Sequence, residues 1–154
     1  MSLLAELKKL RKKWDNYTEG WFGIVVYLVL GFIIAYFFNI FLSFVLNTQT
    51  PVVAVFSDSM VPTFFRGDMI IVYGSKDFKV GDIIVFEVPD RKYPIIHRVI
   101  SFENGFIRTK GDNNFGEDPE SWKTKIEDVY GKAMIKIPIL GWVKIVFVDV
   151  TGLS

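Results

Sequence analysis

The chain contains no cysteine and only one histidine, His97, among its 154 residues. Without cysteine there is neither a disulfide framework nor a thiolate metal site. With a single imidazole, a metal hydrolase would have only carboxylates left as ligands. A second absence is local: no charged residue stands between Glu19 and Asp58, although charged residues make up 23% of the chain. A third concerns sign. The net charge is +1 and no basic stripe runs through the part beyond Asp58, which removes nucleic acid from the expected partners.

What fills the uncharged stretch is apolar. Trp21 to Leu46 is almost wholly Val, Ile, Leu, Phe, Tyr, Ala and Gly. As a helix rising about 1.5 Å per residue it measures roughly 39 Å, enough to cross a hydrocarbon core of about 30 Å with some tilt. A cleavable signal has an apolar region of about 7–15 residues that ends at a small-x-small site. This run is longer and leads into Asn47-Thr48-Gln49-Thr50-Pro51, so a retained anchor in the lipid bilayer is expected. Lys8, Lys9, Arg11, Lys12 and Lys13 precede it, and no Lys or Arg follows until Arg66. The positive-inside rule then puts the amino terminus in the cytoplasm and the remaining hundred or so residues outside. Leu3, Leu7, Leu10 and Trp14 recur at helical spacing, which suits a short interfacial helix; a solvated basic flank that only sets topology fits equally well. The expected organisation is a basic flank over 1–20, an anchor over 21–46 and an extracytoplasmic domain over 47–154.

From Val52 onward the pattern becomes short β-type runs cut by turns. Expected strands are Val52–Phe56, Met69–Tyr73, Ile83–Val88, Ile95–Phe102, Phe106–Thr109 and Ala133–Ile137, separated by Gly-Asp, Pro-Asp and Asn-Gly pairs. Arg66-Gly67-Asp68-Met69-Ile70-Ile71-Val72 and Val80-Gly81-Asp82-Ile83-Ile84-Val85-Phe86 nearly repeat, each reading as a turn that feeds a buried strand. Asn104-Gly105 is a strong hairpin signal. The result is a mainly β fold, an N-terminal transmembrane helix followed by an all-β domain. Beyond Ile135 the chain is apolar again but interrupted by Lys144 and Asp149. A closing strand and a short amphipathic segment are expected there, held by the core or dipping into the outer leaflet.

Three short segments could carry chemistry. Hydrolysis of a peptide bond needs a nucleophile, a base, a group that orients the base, and donors for the oxyanion. Ser57-Asp58-Ser59-Met60-Val61-Pro62 lies roughly a dozen residues beyond Leu46. His97 sits in the apolar run Pro94-Ile95-Ile96-His97-Arg98-Val99-Ile100, where a lone histidine is more often structural. Thr109-Lys110-Gly111-Asp112-Asn113-Asn114, followed by Phe115-Gly116-Glu117-Asp118-Pro119, reads by itself as an acidic turn.

Taken in order, these motifs resemble the type I signal peptidases, most closely the archaeal and endoplasmic-reticulum-type branch. The likeness runs from about Val52 to Met134 and includes Gly131-Lys132-Ala133 as a further landmark. It departs at Asp58, where Gly commonly stands, and at Val61, which replaces a common acidic residue. The resemblance implies Ser59 as nucleophile, His97 as base where the bacterial branch has lysine, and an oxyanion hole from the Ser59 N–H and the Ser57 hydroxyl. An imidazole of ordinary pKa, about 6.5, accepts a serine proton at neutral pH, whereas a lysine needs burial to shift it by several units. Two aspartates compete for the orienting role. The resemblance favours Asp118, with Asp112 as alternative or supporting acid and Glu117 as an outside option; reach alone does not separate them.

The implied activity is a membrane-bound serine endopeptidase that removes signal peptides from secretory precursor proteins, without cofactor or metal. A secretion translocon is an expected neighbour. The expected location is a cell membrane, archaeal by preference, or the endoplasmic reticulum membrane in a eukaryote. A precursor held in the bilayer presents its scissile bond near the outer surface, with small residues at −1 and −3. Shallow pockets between Val52–Phe56 and Ile83–Val88 would select them. A peptidase of narrower range, maturing a few exported biofilm or pilus proteins, would carry the same residues. The non-enzyme alternative, a tethered β-domain serving in binding or assembly, has the complete Ser, His and Asp set against it.

Overall fold

A computed structural model describes residues 3–18 and 20–152, without the side chains of residues 3 and 16–18. The expectations placed on Leu3 as a side chain, on Glu19 and on the last two residues therefore lie outside the described part. The chain divides into two compact units, Met1–Phe41 and Leu42–Ser154. In the first, α1 (Leu3–Thr18) carries the basic cluster, and α2 begins at Gly20 and continues to Val45. With 26 residues and a mean hydropathy of 2.5, α2 is long and apolar enough to be a candidate membrane span. Most of its large side chains, from Trp21 to Val45, are exposed, which suits a helix that would lie in lipid.

The second unit is built on one antiparallel sheet of seven strands: β1 (Val52–Ala54), β2 (Met69–Tyr73), β3 (Ile83–Phe86), β4 (Ile95–Glu103), β5 (Phe106–Lys110), β6 (Thr124–Lys125) and β7 (Val129–Ile137). Their order across the sheet is β1-β2-β7-β3-β4-β5-β6. The last strand in sequence thus lies between β2 and β3, pairing Ile71 with Ile135 on one side and Ile84 with Lys132 on the other. It begins earlier than the expected Ala133, because Gly131 and Lys132 break the apolar run but still pair with β3, the register shifting at Tyr130. The two-residue β6 was too short to be seen as a pattern.

The near-repeat in the sequence is one turn built twice. Gly67 and Gly81 have φ of 94° and 97°, a region that L side chains avoid. The carboxylate of Asp68 accepts the Phe65 N–H at 2.9 Å, and that of Asp82 accepts the Lys79 N–H at 2.8 Å. The backbone N–H of each aspartate returns a bond to the same partner's carbonyl. The Asn104-Gly105 hairpin forms with both φ values positive, 49° and 82°, the geometry that matches strand twist.

Two apolar clusters hold the domain. One gathers Val53, Val55, Met60, Phe64, Ile70, Val72, Val85 and Ile96; the other gathers Phe78, Ile84, Phe86, Val88, Val99, Ile107, Trp122 and Val129. Strand β3 feeds both, Val85 into the first and Ile84 and Phe86 into the second, which is why its sequence is continuously apolar rather than alternating. The carboxyl end forms α3 (Trp142–Thr151). Ile145 and Val148 are buried inward, while Val143, Val146, Phe147 and Val150 form an outward apolar stripe at helical spacing.

Candidate active site

Ser59 belongs to the crossover between β1 and β2. The segment is pinned from below by Met60 and Phe64, both in the first cluster and exposed by only 1% and 7%, with the Phe64 N–H bonded to the Met60 carbonyl at 2.9 Å. A buried methionine directly after the serine fixes the backbone while leaving the Ser59 side chain at the surface. Its Oγ lies 3.2 Å from that of Ser57.

His97 is the third residue of β4, paired with Ile84 of β3 and 3% exposed. Its Nδ1 lies 2.6 Å from Asp118 Oδ2, and its Nε2 lies 3.1 Å from Ser59 Oγ. A carboxylate can only accept, so the Nδ1–H donates to Asp118 and leaves the Nε2 lone pair for the serine hydroxyl. Asp118 is itself clamped to β5. The Thr109 hydroxyl donates to Oδ2 at 2.5 Å, and the Asp118 N–H donates to the Thr109 carbonyl at 3.0 Å.

The side-chain parity of β4 separates the two competing aspartates. His97 and Arg98 are adjacent in the strand, so they face opposite sides of the sheet. His97 shares its face with Val99, Thr109 and Asp118. Arg98 turns to the other side and meets Asp112 in a two-pronged contact, Nε to Oδ1 at 2.8 Å and Nη2 to Oδ2 at 2.7 Å. Thr63 donates to the same carboxylate at 2.5 Å. Hydrogen bonds from Arg98 hold the Asp112 carboxyl below its ordinary range, with Thr63 and the guanidinium charge adding to the effect against partial burial. The same contact raises Arg98. Glu117, the outside option, is spent on Arg108 at 2.6 Å.

Two residues near the imidazole have no role assigned by the sequence. Thr109 read only as a strand end, and its hydroxyl function depends on Asp118 folding back beside it. Trp122 lies in a short 3-10 turn with its ring 6.3 Å from that of His97. It is 8% exposed, and its indole N–H has no hydrogen-bond partner among the described residues. A tryptophan in an otherwise polar stretch is the clue the sequence offers.

Ser59 and His97 open onto a cleft of about 720 Å³ that Phe56, Tyr93, Met60 and Trp122 also line. Phe56 and Tyr93 stack across it at 4.1 Å. The expected wall from Val52–Phe56 is present through Ala54, Val55 and Phe56, but the opposite wall is Tyr93–His97 and not Ile83–Val88. The side chains of β3 are consumed by the two clusters and have no free face. A second groove, of about 760 Å³, lies by Lys76, Glu87 and Tyr130 and includes neither Ser59 nor His97. There the Tyr130 hydroxyl is pushed up to about 12 by burial, with the Glu87 carboxylate adding to it.

The Peptidase S24-like family model matches residues 35–143. The chain is 36% identical over 131 residues to the signal peptidase complex catalytic subunit SEC11 of Lodderomyces elongisporus, covering 77% of this chain and 79% of that one. It is 40% identical over 116 residues to the subunit of the same name from Eremothecium gossypii, covering 68% and 70%. For Saccharomyces cerevisiae the figures are 36% over 123 residues, covering 72% and 74%.

Proposed function

The chain belongs to the Peptidase S24-like family and to the type I signal peptidases in their endoplasmic-reticulum-type branch, and on that premise we propose how its residues perform the reaction. It is a membrane-bound serine peptidase that removes signal peptides from secretory precursors. Ser59 is the nucleophile, His97 the general base and Asp118 the carboxylate that orients it. The observation supporting this reading is the unbroken hydrogen-bond chain from Asp118 through His97 to Ser59 at the edge of the cleft.

In this mechanism Ser59 Oγ attacks the scissile carbonyl while its proton passes to His97 Nε2. The imidazolium that forms faces the Asp118 carboxylate. The carbonyl oxygen, now an oxyanion, meets the Ser59 N–H and the Ser57 hydroxyl. Collapse expels the amine of the mature protein, which takes the proton from Nε2. Water, deprotonated by the same imidazole, then releases the signal peptide as its carboxylate. Asp112 does not touch the imidazole; with Arg98 and Thr63 it ties the strand carrying His97 to the segment carrying Ser59.

The anchor supplies the encounter. Residues 1–20 stay in the cytoplasm, the apolar helix crosses the bilayer once, and the domain from 47 onward lies outside, in an archaeal cell membrane by preference or in the endoplasmic reticulum membrane. The short connection from Leu46 to Ser59 in sequence and a substrate held in the same plane remove much of the orientational cost of association. The translocon that delivers precursors is the expected neighbour. The outward stripe of α3, Val143, Val146, Phe147 and Val150, is a second lipid contact. The test is cleavage of a precursor by the full-length protein in liposomes: Ser59→Ala and His97→Ala should both be inert, and activity retained by Ser59→Ala would refute the mechanism.

A further inference from the structure

Asn113, two residues past the glycine of the Lys110–Asn114 turn, touches neither His97 nor Asp118 but holds the backbone of the nucleophile segment twice. Its side-chain Nδ2 donates to the Asp58 carbonyl at 3.1 Å, and its own N–H donates to the Ser59 carbonyl at 2.8 Å. The Asp58–Ser59 peptide is trans, so its carbonyl and its N–H point in opposite directions. A donor that captures the Asp58 carbonyl therefore turns the Ser59 N–H the other way. Among the described residues no protein group accepts that N–H.

We infer that Asn113 is a positioning residue for the oxyanion donor: together with the Val61 N–H, which donates to the same Asp58 carbonyl at 3.2 Å, it sets the plane of the Asp58–Ser59 peptide and so aims the Ser59 N–H at the developing oxyanion. The inference rests on the reading of Ser59 as nucleophile. Three neighbours brace the same turn. Asp112 is fixed by Arg98 and Thr63, and its N–H contacts Met60 Sδ at 3.5 Å. A Cβ at Gly111 would stand 2.7 Å from the Ser59 carbonyl oxygen, so only glycine lets the turn approach this closely. A preorganised donor matters because it pays no reorganisation cost as charge develops.

Removing an oxyanion donor outright lowers kcat about 10²–10³-fold. Asn113→Asp removes the side-chain donor and keeps the backbone bond to Ser59, so the donor is loosened and not lost. The expected loss is roughly tenfold to a hundredfold in kcat, with KM within about twofold, since the ground-state carbonyl makes little use of the donor. The experiment measures precursor cleavage by the full chain in detergent micelles, alongside inhibition by a peptide aldehyde ending in alanine, whose hemiacetal oxygen occupies the oxyanion position.

Aldehyde affinity should fall in step with kcat while the melting temperature stays near that of the parent. Gly111→Ala, which pushes on the Ser59 carbonyl from the same side, should lower kcat and aldehyde affinity together. An unchanged kcat in Asn113→Asp overturns the inference. So does a loss that tracks melting temperature with aldehyde and substrate affinity falling equally. Ser59→Ala is measured in parallel: if it still cleaves, the nucleophile assignment has failed, whereas an inert Ser59→Ala beside a fully active Asn113→Asp refutes the positioning role alone.

Discussion

Replacing Asp118 by asparagine changes almost no volume and removes one charge from beneath the imidazole. The amide oxygen can still accept from the His97 Nδ1–H and the Thr109 hydroxyl, which now converge on a single carboxylate oxygen at 2.6 and 2.5 Å. What it cannot do is attract the imidazolium that the proposed mechanism forms when Ser59 gives up its proton. Asp118 is 9% exposed, so an effective dielectric of about 20 applies. With the charge centres about 4 Å apart the lost attraction is about 4 kcal/mol, or roughly a thousandfold in rate. Amidating the aspartate of a serine protease triad costs about ten-thousandfold where the tautomer also inverts, so Asp118→Asn is predicted to lose between about 10³ and 10⁴ in kcat. Asp112→Asn is the internal control. Its partner Arg98 has a side chain 35% exposed, and such a pair contributes about 1 kcal/mol to stability. Less than about a tenfold loss of activity is expected. Single-turnover cleavage of a precursor in detergent measures both. A larger deficit in Asp112→Asn than in Asp118→Asn would refute the division of labour set by the parity of β4.

Acid should expose the Asp112 contact selectively. Its folded carboxyl is depressed below 3.8, so its stabilisation is complete above that ordinary value and is lost as pH falls through the lower, folded one. The melting-temperature gap between the parent and Asp112→Asn is predicted to be constant near neutrality and to shrink below pH 3.8; a gap unchanged at lower pH would contradict this. Truncating Met60, 1% exposed in the first cluster, to alanine should cost about 2–5 kcal/mol by cavity formation and lower kcat by freeing Ser59. Chemical denaturation and cleavage together check this, and a variant with parental kcat would break the proposed link between that packing and the nucleophile. Glutamates at Val143 and Phe147, which are 71% and 56% exposed on α3, are predicted to slow cleavage in liposomes but not in micelles. Equal rates in the two media would show that the stripe does not meet lipid.

Local chemistry was readable in the amino-acid sequence because it depends on neighbours along the chain. The long apolar helix, the twin Gly-Asp turns and the Asn104-Gly105 hairpin each follow from charge, periodicity or a required positive φ at stated residues. The joint order of Ser59, His97 and the aspartate-bearing turn was legible as well. Residues distant in sequence met by rules that no local pattern carries. That β7 enters between β2 and β3, and that β3 is buried on both faces, follow from long-range pairing, so the wall of the cleft passed from Ile83–Val88 to Tyr93–His97. The two aspartates stand six residues apart in the sequence, where reach alone does not separate them, and only the tertiary structure told them apart. Consecutive residues of a strand face opposite sides, so His97 and Arg98 draw their carboxylates from opposite faces of the sheet, and Asp118 is the one that shares a face with the histidine.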